Sequence, residues 1–107
     1  MFKVSGATVY PSEVEAALRT IPSVAQAFVA NVRDENDDRE VVGAAVLCRD
    51  RIELATLDRL ARERLSAFKV PRRWVQLASL DELPMMATGK VDKRGLQQLI
   101  AESGEAV

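Results

Sequence analysis

Two long apolar runs, joined by a short charged segment, limit the fold of this chain more than any other feature. Residues 24–32 are rich in Val, Ala and Phe without the spacing of an amphipathic helix, and residues 41–48 form a second, nearly continuous apolar run. Runs of this length and composition are typical of strands that are covered on both faces. They predict two strands of one sheet, with much of each face buried.

The segment between the two runs, residues 33–40, reads RDENDDRE and is acidic on balance. Because Asn and Asp favour turns, the segment predicts a solvent-exposed hairpin connection. A calcium-binding loop is the alternative, but such a loop needs a central Gly among its oxygen ligands. This segment contains no Gly, so we predict a hairpin connection and no metal site.

A first helix is predicted over about residues 12–20. Ser12 and Glu15 have the spacing of a capping box, in which a hydroxyl and a carboxylate satisfy free amides at the start of a helix. Pro22 blocks continuation of the helix. The apolar face of this helix is formed by Val14, Ala17, Leu18 and Ile21.

Two further helices are predicted from the same three-to-four-residue spacing. The second covers about residues 54–66, and its apolar face is formed by Leu57, Leu60, Ala61, Leu65 and Phe68. The last begins after Asp92, which is placed to cap it, and ends at Gly104. Its apolar face is formed by Leu96, Leu99 and Ile100.

Two shorter extended segments complete the predicted fold. In residues 74–78, Val75 and Leu77 alternate with Trp74 and Gln76 as in a strand. A short extended piece within residues 1–11 is closed by Pro11. The order is then strand, helix, two strands, helix, strand, loop and helix. This order predicts a single compact α+β domain, with a small mixed or antiparallel sheet and about three helices.

The composition narrows the possible functions. Hydrophobic residues make up 48% of the chain and charged residues 29%, as in soluble globular domains. A formal net charge of −1 argues against a nucleic-acid-binding protein that relies on a basic face. The chain has no His and one Cys, which excludes the usual zinc sites and His-dependent catalytic triads. Catalysis would have to use Lys, Asp, Glu or backbone groups.

Cysteine content and hydropathy predict a cytoplasmic protein. Cys48 lies within the second apolar run, where it predicts a buried thiol without a disulfide partner, as in a reducing compartment. No stretch approaches the ~18 apolar residues of a transmembrane segment. The first residues also lack the apolar core of a signal peptide.

A polar loop at residues 84–93, PMMATGKVDK, presents one lysine ahead of the last helix. We expect Gly89 to act as a flexible hinge and Lys90 to be anchored only by the helix behind it. A lysine so placed can move its ammonium group to meet a charge on a substrate that is held elsewhere. The alternative is an ordinary solvated lysine, because Thr-Gly-Lys occurs in many surface turns.

Three segments together resemble the successive C-terminal motifs of the adenylate-forming superfamily. They are residues 3–15 (KVSGATVYPSEVE), 68–72 (FKVPR) and 84–93, and they follow the order and spacing of that family. The superfamily includes acyl-CoA synthetases, luciferases and the adenylation domains of non-ribosomal peptide synthetases. Residues 1–107 thus resemble its small C-terminal domain, a mobile lid, with motifs in register from Met1 to about Ile100.

The resemblance implies a two-domain enzyme. In such enzymes a large N-terminal domain binds the acid and ATP, with Mg2+ bound through ATP. The small domain has one pose for adenylation of the carboxylate and another for transfer from the acyl-adenylate to the thiol of coenzyme A. Because the large domain and the hinge precede the position of Met1, we expect them to be absent from this chain. We also expect the isolated chain to fold but to be inactive.

The resemblance also implies roles for individual residues. Lys90, beside Gly89, matches the lysine that contacts carboxylate and ATP oxygens in the adenylation pose. Ser5 and Gly6 match the loop that lines the pantetheine tunnel in the second pose, where a backbone without a Cβ leaves room for a thin chain. The alternative for Gly6 is a turn glycine with positive φ, and both can hold.

A basic cluster lies beside the turn that Pro71 fixes. Lys69, Arg72 and Arg73 are candidates for binding the phosphates of coenzyme A. The alternative for each is an ordinary solvated side chain, or a contact with the large domain.

Two functional classes follow. The first is the mobile domain of an acid:CoA ligase, favoured because FKVSG at residues 2–6 looks closer to fatty-acyl and related ligases than to peptide synthetases. The alternative is a free-standing, non-catalytic module that binds a carrier protein or a separate large subunit. The C-terminal domain of an acyl-AMP ligase or of a peptide-synthetase adenylation domain is a further possibility. An ATP-binding domain encoded before Met1 would support the ligase.

Overall fold

The described part of the chain, residues 2–4, 6–34 and 39–106 of a computed structural model, contains three α-helices and two small β-sheets. The strands are β1 (Phe2–Val4), β2 (Ala7–Val9), β3 (Val24–Asp34), β4 (Arg39–Cys48) and β5 (Arg73–Leu77). The helices are α1 (Pro11–Arg19), α2 (Leu54–Arg62) and α3 (Lys93–Ser103), with 3-10 turns at Ala67–Lys69 and Leu80–Glu82. None of the helices in these ranges is long and apolar enough to cross a membrane.

The larger sheet has the strand order β3-β4-β5. β3 and β4 pair antiparallel as far as Asp34 opposite Arg39, so the two apolar runs are neighbours, as predicted. The connecting residues 35–38 lie outside the described residues. β5 adds parallel to β4, with Ala44 opposite Trp74. The sheet is therefore mixed, and the predicted α+β domain with three helices is confirmed.

Alternate residues of the strands enter two separate cores on opposite faces of this sheet. The core beneath α1 and α2 includes Val14, Leu18, Val42, Ala44, Val46, Leu57 and Trp74. The core beneath α3 includes Val32, Val41, Ala45, Val75, Leu96 and Ile100. Because helices cover both faces, the strands are apolar at most positions. This is the physical reason for the two continuous apolar runs.

The start of α1 differs from the prediction. The helix begins at Pro11, its N-cap is Tyr10, and no side chain caps it. Proline needs no hydrogen-bond partner at the first helical position, and its φ is already helical. The capping box predicted for Ser12 and Glu15 therefore does not form. Glu15 instead accepts a hydrogen bond from the amide of Val29 at 2.9 Å, which ties α1 to β3.

The second helix is shorter than predicted. α2 ends at Arg62, whereas the spacing predicts a helix to about residue 66. Phe68, predicted on its apolar face, lies in a 3-10 turn and is 39% exposed. Val70 is extended, with ψ of 129°, because a residue that precedes proline avoids the helical region. Ser66 is already extended, with ψ of 149°, so the chain leaves the helical path before it reaches the 3-10 turn.

Side-chain caps occur at two other turns. Asp92 caps α3 as predicted, because its Oδ1 atom accepts a hydrogen bond from the amide of Arg94 at 3.1 Å. Gly104 directly follows this helix, also as predicted. A capping box that the sequence analysis missed joins Ser79 and Glu82 around the second 3-10 turn. Its sequence signal is the Ser-x-x-Glu spacing.

Cys48, at the end of β4, is half-buried, where the sequence predicts a buried thiol. It packs against the core beneath α1 and α2. Burial raises the pKa of the Cys48 thiol, so the group stays protonated and weakly nucleophilic at neutral pH. The thiol is a packing group and not a candidate nucleophile.

Candidate functional site

Lys90 lies at the end of a tight hairpin turn, which we call the lysine turn (residues 85–91). Met85 and Val91 form an antiparallel bridge, and the amide of Met86 donates to the carbonyl of Lys90 at 2.7 Å. The amide of Gly89 donates back to the carbonyl of Met86 at 2.9 Å, and Gly89 has φ of 86°. A three-residue connection whose last residue is left-handed is a common hairpin geometry, and glycine adopts it without steric cost.

The base of the lysine turn is fixed on both sides. The amide of Asp92 donates to the carbonyl of Pro84 at 2.9 Å, and Asp92 also caps α3. The prediction that Lys90 is anchored only from behind is therefore wrong for its backbone. Its side chain is exposed, and no hydrogen bond or ion pair joins it to another residue of the described ranges. A fixed backbone thus presents an exposed ammonium group that no described residue engages.

Two methionines precede Lys90 in the same turn. Met85 and Met86 are each 52% exposed. They place apolar surface close to a cation that has no partner in the described part of the chain. A surface of this kind suits contact with another protein surface around a charged group.

Gly6 lies in the turn between β1 and β2, where Val4 pairs with Ala7. Its φ is 84°, in the left-handed region that favours glycine. A β-carbon at this position would meet no atom of the domain within 4 Å. Glycine is therefore favoured at this position by the backbone conformation, while the predicted role of Gly6 in leaving room for pantetheine stays a prediction. Ser5, its predicted neighbour in that tunnel, lies outside the described residues.

The three cations predicted to form a basic cluster have different environments. Lys69 forms an ion pair with Glu13 that links the first 3-10 turn to α1, and its Nζ atom lies 5.6 Å from the ring centroid of Phe68. Arg73 is half-buried on β5, with its Nη1 atom 3.4 Å from the carbonyl of Gly104. Of the three, only Arg72 is exposed and has no side-chain hydrogen bond or ion pair with another described residue.

Arg72 is also held firmly at its backbone. Its amide donates to the carbonyl of Val42 at 2.8 Å, just ahead of β5. A guanidinium on a fixed backbone is well suited to bind a phosphate through two parallel hydrogen bonds. Among Lys69, Arg72 and Arg73, it is therefore the most available phosphate ligand.

The sequence profile of the AMP-binding enzyme C-terminal domain family matches residues 13–90, most of the chain. The chain belongs to that family. The matched segment starts at Glu13, the partner of Lys69, and ends at Lys90. It therefore spans the elements from α1 to the lysine turn, and the predicted resemblance to the adenylate-forming superfamily is confirmed.

Individual relatives agree with this assignment. The chain is 40% identical over 103 residues to 4-chlorobenzoate–CoA ligase of Pseudomonas sp. (strain CBS-3), covering 94% of the chain and 19% of the relative. It is 44% identical over 99 residues to L-allo-isoleucine:holo-[CmaA peptidyl-carrier protein] ligase of Pseudomonas savastanoi pv. glycinea, covering 89% and 16%. This family domain thus spans about a fifth of the length of these relatives or less.

A solved structure of the same fold comes from Bacillus subtilis. It is o-succinylbenzoate CoA synthetase in complex with the acyl-adenylate intermediate OSB-AMP. The match has a TM-score of 0.74 and 30% identity, and covers 95% of this chain and 20% of that chain. The fold of this family domain therefore occurs within a much longer adenylate-forming enzyme.

Sequence analysis missed the contacts that separate the three cations. Glu13 is 56 residues from Lys69 along the chain, so no local pattern signals their ion pair. Glu13 lies in the first turn of α1, where the helix dipole by itself already favours an acidic residue. Only the packing of the 3-10 turn against α1 reveals that Lys69 is engaged.

Proposed function

We propose that this chain is the mobile C-terminal domain of a carboxylic acid–CoA ligase and that it supplies Lys90 to the adenylation step. The observation that carries the proposal is the lysine turn, which presents an exposed ammonium on a fixed backbone at the end of the family match, with no partner for that ammonium among the described residues. Since the relatives are much longer, we propose a parent enzyme in which a large domain provides the ATP and acyl sites.

The chemistry of adenylation explains what the lysine contributes. A carboxylate oxygen of the acid attacks the α-phosphorus of ATP, the bond to the bridging oxygen breaks, and pyrophosphate leaves with its electron pair. Both reactants are anions, and negative charge builds up on the α-phosphate oxygens in the transition state. The ammonium of Lys90 reduces both repulsions when the turn approaches the large domain. ATP would bring Mg2+ bound to its phosphates.

The second half-reaction, transfer of the acyl group to coenzyme A, would use a different surface of the same domain. The thiol of coenzyme A attacks the acyl carbon of the acyl-adenylate, a thioester bond forms, and AMP leaves. We propose that the β1-β2 hairpin at Gly6 lines the pantetheine path and that Arg72 binds a phosphate of coenzyme A. Support comes from the exposure of Gly6 and Arg72 and from the absence of a side-chain partner for Arg72 in the described residues.

A carrier protein is the second candidate for the acyl acceptor. Its support is the relative with 44% identity, which is a ligase for a holo-peptidyl-carrier protein. The same pantetheine thiol is then presented on a protein rather than as coenzyme A. Incubation of the parent with ATP, a panel of acids and either acceptor would separate the two, because only the correct acceptor yields a thioester. A non-catalytic module would yield neither.

The isolated 107-residue chain should produce no acyl-CoA when it is incubated with ATP, Mg2+, coenzyme A and a panel of carboxylic acids. The physical reason is that it contributes one charge at the reacting centre, while the nucleotide and acyl pockets belong to the proposed large domain. Product is measured by mass spectrometry against a Lys90→Ala control. Acyl-CoA formation above that control would contradict the proposal that the nucleotide and acyl pockets belong to the large domain.

Substitution of Gly6 in the parent should impair thioester formation and spare adenylation. Gly6→Asn is the sharper variant, because Asn tolerates the left-handed backbone and adds a side chain, whereas Gly6→Leu adds strain as well. We expect Gly6→Asn to lower transfer from a supplied acyl-adenylate by at least about tenfold, since a blocked path displaces the reacting thiol. Pyrophosphate exchange, which reports adenylation, should stay near the parent value.

The contrast between the two Gly6 variants identifies the reason for the glycine. If Gly6→Asn transfers normally and Gly6→Leu does not, the residue serves only the backbone of the hairpin. Equal loss of both half-reactions would indicate destabilisation of the domain instead.

A further inference from the structure

Gly95 lies in the first turns of α3, directly against the base of the lysine turn. A β-carbon at this position would lie 2.6 Å from Cβ and 2.9 Å from Cγ of Pro84, and 3.3 Å from Oδ2 of Asp92. Carbon–carbon contacts are ordinarily about 3.5–4.0 Å, so an added methyl group would push Pro84 away by about 1 Å. Because the proline ring is rigid, that displacement would pass to the backbone.

Pro84 and Asp92 are the two ends of the base of the lysine turn. The amide of Asp92 donates to the carbonyl of Pro84 at 2.9 Å, and the bridge between Met85 and Val91 lies directly above this bond. A residue whose β-carbon would collide with Pro84 and crowd the Asp92 side chain therefore controls how closely the base of the turn approaches α3. Gly95 is such a residue.

The glycine at this position serves close approach and not backbone conformation. Gly6 and Gly89 have positive φ and open space where a β-carbon would lie, whereas Gly95 lies within a helix and is crowded. Glycine within a helix is less stable than alanine, since it loses more conformational freedom on folding. The close contact with Pro84 is the feature that an alanine would remove.

We propose that Gly95 is a positioning residue for Lys90. By letting Pro84 rest against the backbone of α3, it sets the height and direction of the lysine turn relative to the rest of the domain. The catalytic consequence rests on the proposed function of Lys90, but the packing itself does not.

The packing is tested in the 107-residue chain with Gly95→Ala, using amide hydrogen exchange by NMR and thermal unfolding. We expect faster exchange at Met86, Gly89 and Asp92, whose amides close the turn and its base, with core amides such as that of Val46 unchanged. The matched control is Gln98→Ala, an exposed position of the same helix. It should leave all of these amides unchanged.

Either of two results would overturn the packing role. Unchanged exchange at the turn amides would show that the contact does not hold the turn. Loss of protection from exchange throughout the chain would show that Gly95 contributes to the stability of the whole domain and not specifically to the turn. A Pro84→Gly/Gly95→Ala double variant, which removes both clashing carbons of the ring, should move the exchange of Asp92 back towards that of the unsubstituted chain.

The catalytic consequence is tested in the parent enzyme. Gly95→Ala should lower the rate of adenylation on the order of 10²-fold, the scale expected for a misplacement of about 1 Å. Transfer from a supplied acyl-adenylate should stay unchanged, which a merely destabilised domain would not achieve. If Gly95→Ala adenylates normally while Lys90→Ala does not, the positioning role is wrong and the proposed function stands. If Lys90→Ala adenylates normally, the proposed function fails, while the exchange data still decide the packing.

Discussion

Replacement of Lys90 by alanine in the parent enzyme is expected to slow formation of the acyl-adenylate by about 10²–10³-fold, the typical loss when one transition-state donor is removed. The ammonium assists only when the lysine turn approaches the nucleotide. Transfer of the acyl group from a supplied acyl-adenylate should therefore be nearly unaffected. Pyrophosphate exchange measures the first half-reaction, and thioester formation from synthetic acyl-adenylate measures the second.

Lys93→Ala is the matched control for this variant. Lys93 is an exposed lysine three residues further along, in the first turn of α3, so its removal changes the net charge equally. It should leave both half-reactions near the parent values. Equal loss of both half-reactions in Lys90→Ala would argue for a damaged domain, and equal loss in both variants would argue for a general charge effect.

Replacement of Trp74 by alanine should destabilise the domain by about 3–5 kcal/mol, the cost typical of removing a large buried aromatic side chain. Trp74 is 1% exposed in the core beneath α1 and α2. Its backbone also joins β5 to the end of the chain through two hydrogen bonds with Glu105, at 2.9 and 2.8 Å. Since small domains are stable by about 5–15 kcal/mol, much of the total would be lost.

Urea unfolding of the 107-residue chain, followed by circular dichroism, measures this change. Trp74→Phe should cost clearly less than Trp74→Ala. The buried Nε1 atom of Trp74 has no hydrogen-bond partner in the described residues, so phenylalanine removes an unsatisfied donor while it fills much of the space. Tyr10→Ala is the control, because Tyr10 is 51% exposed. Comparable losses for Trp74→Ala and Tyr10→Ala would contradict the assignment of the core.

Local sequence patterns determined β3, β4, the presence of the three helices and the residue at the centre of the candidate site, although they predicted one short strand where β1 and β2 form a hairpin. The two apolar runs became β3 and β4 because strands covered on both faces need apolar residues at most positions. Asp92 could be predicted as the cap of α3 because a capping side chain bonds to the backbone amides of the helix that directly follows it. Lys90 could be chosen because three motifs in order and spacing resemble one family.

Tertiary structure decided the features that depend on residues distant in sequence. Pairing with Glu13, 56 residues away, engages Lys69 and leaves Arg72 as the more available cation. The carboxylate of Glu15, predicted to cap its own helix, instead binds the amide of Val29 on β3. The role of Gly95 follows from contact with Pro84 across the lysine turn. In each case the feature depends on a contact between different secondary-structure elements. The local spacing of residues in the sequence does not indicate such a contact.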